Sequence, residues 1–211
     1  RGWTLDQIWL THHHYDHIDG LPELIADYPA RVYGAAADSH RLPPLDVALG
    51  EGDRFTLGEA EVQVSDVSGH TLGHLALHLP SARAVFTADS LMAMGCGRLF
   101  EGSAVQMWHS LQQLRALPQN TWVYSGHEYT TSNLAFTQSL GEDNPAVAAR
   151  AVQITKDRAA GRPTVPSPLA LEMQTNPFMR ADDPALKAAM GMPGSTAGQV
   201  FAEIRARKDE F

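Results

Sequence analysis

Cysteine is all but missing from this chain of 211 residues, where Cys96 stands alone. A disulfide within the chain is thereby excluded, and so is a zinc site built on thiolates. Any metal held here must rest on histidine and carboxylate. Basic residues are short as well, 16 against 24 acidic ones, and a formal charge of -8 denies the chain the positive field that general nucleic-acid or anionic-membrane binding requires. An anionic small molecule would need a local cationic patch. No uninterrupted apolar run approaches the ~18 to 20 residues of a spanning helix, and no basic, apolar, small-residue leader is present. These absences lead to the expectation of a soluble, cytoplasmic protein with neither nucleic-acid nor membrane partners. The hydrophobic content of 44% is enough to bury a core, and the length suits one large domain, or one with a small companion.

Histidine, by contrast, is concentrated. The stretch Thr11-His12-His13-His14-Tyr15-Asp16-His17 carries the pattern H-x-H-x-D-H. Gln7 to Leu10 is a short apolar run rich in β-formers, so the segment is expected to enter as a strand. On a strand His12 and His14 share a face and His13 points away. Once the chain turns at Tyr15, the adjacent Asp16 and His17 can close on a point beside the first pair. Imidazoles crowded this closely would repel one another if protonated, a cost that a solvated loop need not carry. A purification tag would be an unbroken terminal run, which this is not. His12, His14, Asp16 and His17 are therefore read as metal ligands, and His13 is not.

Further along, a short helix is predicted over Leu21 to Tyr28, a strand over Arg31 to Gly34, and an irregular connection over 35–50. Runs from Asp53 to Leu57 and Glu61 to Ser65 read as a hairpin through Gly58-Glu59. It leads into Gly69-His70, where a glycine at a strand end can aim His70 at an ion. His74 suits packing or support of the ligands, and His78 lies within the strand Leu75 to Leu79. The strand Ala84 to Ala88 delivers Asp89, whose two oxygens could link two cations, the alternative being a cap on the turn at Ser90. The glycine-dense loop 94–102 is long enough to line a mouth, and within it Cys96 reads as a small buried thiol, since nothing pairs it with a base. A helix is expected from Gln106 to Leu117, with His109 on its surface. The strand Thr121 to Tyr124 then ends in Gly126-His127, repeating the logic of His70. Beyond Tyr129 the patterns turn helical: Asn144-Pro145 opens a helix to Gly161, Asp183-Pro184 another, and Ser195 a last one through Lys208. Two domains are expected, 1–128 and 129–211.

Collected, His12, His14 and His70 with Asp89 form one site, and Asp16, His17 and His127 with the same Asp89 a second. Ions ~3.5 to 4 Å apart can share a water and lower its pKa toward ~7. Nitrogen and oxygen donors without thiolate suit zinc, iron or manganese.

The H-x-H-x-D-H stretch, Gly69-His70-Thr71-Leu72-Gly73-His74, a strand-end Asp89 and the late Gly126-His127 together resemble the metallo-β-lactamase superfamily. Thr11 to His17, Gly95-Cys96-Gly97-Arg98-Leu99-Phe100-Glu101-Gly102, Ser125 to Thr130 and the closing stretch Ala202 to Phe211 are similar, more narrowly, to glyoxalase II, the hydroxyacylglutathione hydrolases. The resemblance implies an α/β fold, an αββα sandwich followed by a small all-α domain that holds glutathione. It implies a monomer hydrolysing S-D-lactoylglutathione and related S-2-hydroxyacylglutathiones to glutathione and D-lactate. The nucleophile would be a hydroxide bridging two divalent ions, zinc foremost, with Asp16 and Asp89 as catalytic carboxylates as well as ligands. By the same resemblance Arg205 and Lys208 bind the tripeptide carboxylate, while Tyr129 and the loop from Arg98 to Phe100 contact its backbone. Arg205 and Lys208, three apart, share a helical face and could supply the local positive charge; a solvated helix end or an Arg205 to Asp209 pair is the alternative. Phe100 lacks the hydroxyl that a tyrosine would offer there. The family has strands ahead of the metal loop, and Arg1-Gly2 reads as the end of a helix, so a truncated sequence is expected. Two rivals are a persulfide dioxygenase of the same superfamily, with one iron, and an inactive metal-binding remnant.

Overall fold

A computed structural model describes residues 2–211; the reading of Arg1 falls outside the described residues. The chain opens with β1 (Gln7–Trp9), a one-turn helix α1 (Tyr15–Ile18), α2 (Leu21–Asp27), β2 (Arg31–Ala35) and β3 (Val47–Leu49). The three strands form a parallel sheet in the order β1-β2-β3. Parallel neighbours need a crossover, and α1 with α2 provides the one that carries the histidine stretch. The 35–50 segment is less irregular than expected, because it holds β3 and a 3-10 turn at Ala36–Asp38. Three strand residues are too few to show an alternating pattern.

The second sheet takes β4 (Arg54–Leu57), β5 (Ala60–Asp66), β6 (Leu75–Leu79) and β7 (Ala84–Ala88) as an antiparallel meander. A two-stranded hairpin follows, β8 (Leu91–Met92) with β9 (Gly95–Cys96). The helix α3 (Ala104–Arg115) then returns the chain to β10 (Trp122–Ser125), which runs parallel to β7. The remainder is α4 (Thr130–Ser139), α5 (Pro145–Ala159), β11 (Ser167–Pro168), α6 (Leu169–Thr175), α7 (Pro184–Ala189) and α8 (Ala197–Glu210). β11 adds antiparallel to β10, completing a six-stranded order of β11-β10-β7-β6-β5-β4.

Side-chain alternation on the second sheet separates two cores. Leu75, Leu77 and Leu79 of β6 pack with Val62 and Val64 of β5 against Val32, Tyr33 and Leu49 of the first sheet. Trp9 meets Phe55 edge-on at 5.2 Å, and Tyr33 stacks on Phe55 at 4.7 Å. Ala76 and Val85 point the other way, into a cluster with Met107, Leu111 and Leu114 of α3 and Val200, Phe201 and Ile204 of α8. The spacing 107, 111, 114 is one helical stripe, and each such side chain removed from water contributes ~1.5 to 3 kcal/mol. This second core takes residues from both sides of position 128, so the helical part is welded to the sheet. α3, α5, α7 and α8 start on side-chain caps at Ser103, Asn144, Asp183 and Thr196, the last in a reciprocal box with Gln199.

A buried polar knot fastens the β8–β9 hairpin to the helices. Glu172, fully buried, pairs with Arg150 and accepts hydrogen bonds from Ser167 Oγ at 2.7 Å and the Met94 amide at 2.8 Å. Asn176 donates to the carbonyls of Met92 and Gly95. Each of these groups would be costly to bury unpartnered, and together they hold the loop that leads to Arg98 and Phe100.

Candidate metal centre

The side chains singled out along the chain meet at one rim of the two sheets. The route differs from the expected one for the first pair. β1 ends at Trp9, and Leu10 still bonds to Tyr33, but His12 and His14 lie in the turn that follows, with His14 as the residue preceding α1. A turn, not a strand face, brings the two rings together. Asp16 and His17 sit on the single turn of α1, and the His17 amide bonds back to the His14 carbonyl at 2.9 Å. His70 follows β5, Asp89 follows β7, and His127 follows β10, all at the same edge of the second sheet. Ala88, just before Asp89, has a φ of 41°, a costly left-handed conformation for alanine at the point where the carboxylate is aimed.

His12 Nε2 lies 3.2 Å from His14 Nδ1, which is 3.0 Å from His70 Nε2. His17 Nε2 is 3.3 Å from His127 Nε2. The Asp16 carboxylate comes within 3.2 Å of His127 Nε2, and Asp89 reaches within 3.5 Å of His17, 3.3 Å of His127 and 3.6 Å of His70. Three overlapping sets, His12/His14/His70, His12/His17/Asp89 and Asp16/His17/His127, each keep their donor atoms within 4.8 Å of one another. Two donors on one ion, each ~2.1 Å from it and subtending 90 to 109°, lie ~3.0 to 3.4 Å apart, which is the spacing found here. Asp89 Oδ1 is buried without a hydrogen-bond partner, an arrangement that a cation resolves and an apolar environment does not. His13 turns away to Asp38, 2.8 Å distant.

The electrostatics fit cation binding. Burial first, and then the neighbouring imidazoles, push His12 well below its ordinary range, and burial does the same to His14 and His70. These rings are neutral donors at pH 7. His17 is raised: burial opposes the shift, and contact with Asp89 and the charges of Asp89 and Asp16 outweigh it. Asp89 is held below the carboxylate range, where burial again opposes and His17, His127 and His70 prevail. His70 donates from Nδ1 to the Arg98 carbonyl at 2.8 Å, which leaves Nε2 free for a metal.

Glycine makes the crowding possible at two points. A Cβ on Gly97 would sit 2.1 Å from the Asp89 carbonyl, and one on Gly126 would sit 2.5 Å from Asp89 Oδ1 and 2.9 Å from His17 Cε1. His74, expected to pack or to support the ligands, is fully buried, stacked on His12 at 4.6 Å, and held to about 3, chiefly by burial.

The cluster opens into a cavity of about 640 Å³ whose wall includes His14, Asp16, His70, Asp89 and His127, together with Arg98, Phe100, Tyr129, Arg205 and Lys208. Phe100 meets His14 and His70 edge-on at 5.4 and 5.3 Å, and Tyr129 stacks on His127 at 4.9 Å. Arg205 is buried, donates to the Cys96 carbonyl at 3.1 Å and to Asp209 at 2.9 Å, and keeps its Nε without a partner. The Asp209 pairing weighed from the sequence is thus present in a residue that also faces the cavity. Arg98 shares Asp209 at 3.2 Å, and Lys208 lies over the Phe136 and Phe211 rings. Met92, Ser132 and Asn133 also line the wall; their polar and apolar types carry no pattern that marks them in sequence.

The two sheets, the rim and this donor set define a divalent-metal protein of the metallo-beta-lactamase superfamily, whose profile matches residues 1–127; a second profile, "Hydroxyacylglutathione hydrolase C-terminus", matches residues 128–211. Over the full chain the sequence is 63% identical to a hydroxyacylglutathione hydrolase of Ruegeria pomeroyi and 59% identical to one of Jannaschia sp., covering 83% and 82% of those proteins. The chain belongs to the hydroxyacylglutathione hydrolase family. Among solved structures, ETHE1 from Myxococcus xanthus superposes with a TM-score of 0.66 at 25% identity, over 97% of this chain and 70% of that one.

Proposed function

We propose that this chain hydrolyses the thioester of S-2-hydroxyacylglutathiones, S-D-lactoylglutathione among them, to glutathione and a 2-hydroxy acid, with two divalent ions, zinc foremost, as cofactors. One observation carries the reading: seven histidine and aspartate side chains gather at metal-ligand spacing, and five of them, His14, Asp16, His70, Asp89 and His127, line the same 640 Å³ cavity as three cationic side chains. His12, His14 and His70 would hold one ion, Asp16, His17 and His127 the other, with Asp89 reaching both. Bound there, such ions supply Lewis acidity toward a carbonyl oxygen and toward water.

The residues of the chain do the rest. Arg205, Lys208 and Arg98 gather positive charge at the cavity wall for the carboxylates of glutathione, the anchorage an acidic protein must concentrate locally, with Asp209 pairing both arginines and offsetting part of it. Phe100 and Tyr129 flank the histidines with rings that are largely exposed at the mouth of the cavity, where a substrate backbone would lie against them. Asp16, the more exposed of the two site carboxylates, would accept the proton that the attacking water gives up. The leaving group is a thiolate whose free-thiol pKa is ~8.5, so the reaction needs no strong acid.

The test is hydrolysis of S-D-lactoylglutathione by the purified chain, followed by loss of thioester absorbance, beside elemental analysis. The reading expects two ions per chain, loss of activity on chelation and recovery on adding metal back. Activity indifferent to metal removal would defeat it. A single iron with oxygen uptake on glutathione persulfide would install the dioxygenase rival instead.

A further inference from the structure

Outside the cavity wall, four charged or titratable side chains close into a ring. Asp38, fully buried at the end of the 3-10 turn after β2, accepts from His13 Nδ1 at 2.8 Å and from Arg41 Nε at 2.5 Å. Arg41 extends to Glu101, with Nη2 to Oε2 at 3.0 Å and Nη1 to Oε1, and its Nη2 also reaches the Leu72 carbonyl at 3.4 Å. Glu101 accepts the Leu72 amide at 2.8 Å and lies 3.5 Å from His13 Nε2, which closes the ring. Gly73 makes room for it: its φ is +78°, and a Cβ there would stand 2.9 Å from Asp38 Cβ.

The four side chains come from three segments and the Leu72 backbone adds a fourth; three of these four segments carry a neighbour in the site. His13 lies between His12 and His14, Leu72 lies two residues after His70, and Glu101 directly follows Phe100. Backbone bonds from the Phe100 amide to the His70 carbonyl at 3.2 Å and from Gly102 to Gly69 at 3.1 Å tie the last two segments together. No member of the ring touches the His17/His127 side of the centre.

We propose that His13, Asp38, Arg41 and Glu101 are positioning residues: a clamp that locks the His14 and His70 half of the metal centre to the loop carrying Phe100, so that one ion and one wall of the substrate mouth are held in register. The inference rests on the metal-centre reading above and on its substrate class. An isolated, partly exposed ion pair is worth little, but this ring includes a fully buried carboxylate and a two-pronged arginine that spans three segments. Supports of this kind, one step removed from the ligands, commonly change metal affinity or activity by ~10- to 100-fold when removed.

Arg41 and Glu101 are partly exposed, so Arg41→Met, Glu101→Gln and the double variant test the clamp without emptying the core at Asp38. The measurements are release of metal from the loaded protein to a chromophoric chelator, and KM and kcat on S-D-lactoylglutathione. One of the two ions is expected to leave about tenfold faster in each single variant while the other leaves at the wild-type rate. KM is expected to rise about tenfold with a smaller fall in kcat, and the double variant should be no worse than either single one, because the ring acts as a unit. Arg41→Lys, which keeps the charge and loses the fork, should recover only part of the wild-type behaviour. Release and KM within twofold of wild type, equal acceleration of both ions, or fully additive losses would each overturn the proposal. Should Arg41→Met not fold, Glu101→Gln, which preserves shape, decides alone. If the wild-type protein fails to turn over the thioester, the substrate reading falls while the metal-release result still judges the clamp.

Discussion

Gly126→Ala isolates the packing of the metal centre from its chemistry, since it adds one methyl group and removes no donor. Gly126 lies between β10 and His127, and its φ is not in the left-handed region, so alanine meets no backbone penalty there. The new Cβ would stand 2.5 Å from Asp89 Oδ1 and 2.9 Å from His17 Cε1, where ordinary contact begins at 3.4 Å. The carboxylate must therefore give way by about 0.9 Å and the ring by about 0.5 Å, as 3.4 less 2.5 and 3.4 less 2.9. A working metal site keeps its donors within ~0.2 Å of ideal, and a misplacement of ~1 Å near the reacting atoms costs on the order of 10²-fold in rate. The expectation is a fall of about 10²-fold in kcat/KM and less than full metal content by elemental analysis, with the circular dichroism of the wild type. Gly198→Ala is the control: it lies in the first turn of α8 with nothing within 4 Å of the added atom, and should gain ~0.5 to 1 kcal/mol of helix stability without loss of metal. Gly126→Ala with full metal content and kcat/KM within threefold of wild type would refute the claim that this approach is what seats Asp89.

Two further outcomes follow from buried groups elsewhere. The Cys96 thiol is pushed up to about 11, burial outweighing the nearby Arg205, from an ordinary 9.0. Its neutral form favours the folded state below about pH 9, and that contribution fades as pH rises through about 11. At pH 8 the thiolate is depleted by ~10² relative to an unshifted thiol, so iodoacetamide should leave the native protein unlabelled under conditions that fully label it in urea; rapid native labelling would contradict the burial argument. Glu172→Ala would strand the guanidinium of Arg150 in the interior and should cost ~3 to 5 kcal/mol in urea unfolding, while adding Arg150→Met should recover a large part of it. A loss under ~1 kcal/mol for Glu172→Ala would show that the knot beneath the β8–β9 hairpin tolerates an unpaired charge.

What could be read from the sequence was what the chain writes locally. All seven converging groups announce themselves within a few residues: four in H-x-H-x-D-H, His70 and His127 each through the glycine just before it, and Asp89 by its place after β7. The convergence was right for His12 and His14 while its expected cause was not, because β1 stops at Trp9 and the turn before α1 does the gathering. Closely spaced ligands tolerate such an error, since two residues one apart in the chain can reach one point from either backbone. Partners distant in sequence leave no such margin. Asp38 lies 25 residues from His13, and Glu101 lies 60 from Arg41, with no periodicity linking either pair. β11 has two residues and β3 three, below the length at which alternation exists, yet β11 joins the helical part to the sheet through β10. The donors of this centre are thus legible one segment at a time, whereas the accuracy with which they are held is a property of contacts between segments. It follows that substitutions at Asp38, Gly97, Gly126 or Glu101, none of which can ligate a metal here in place of the histidines, should damage the centre through the distances between its donors and leave the donors themselves intact.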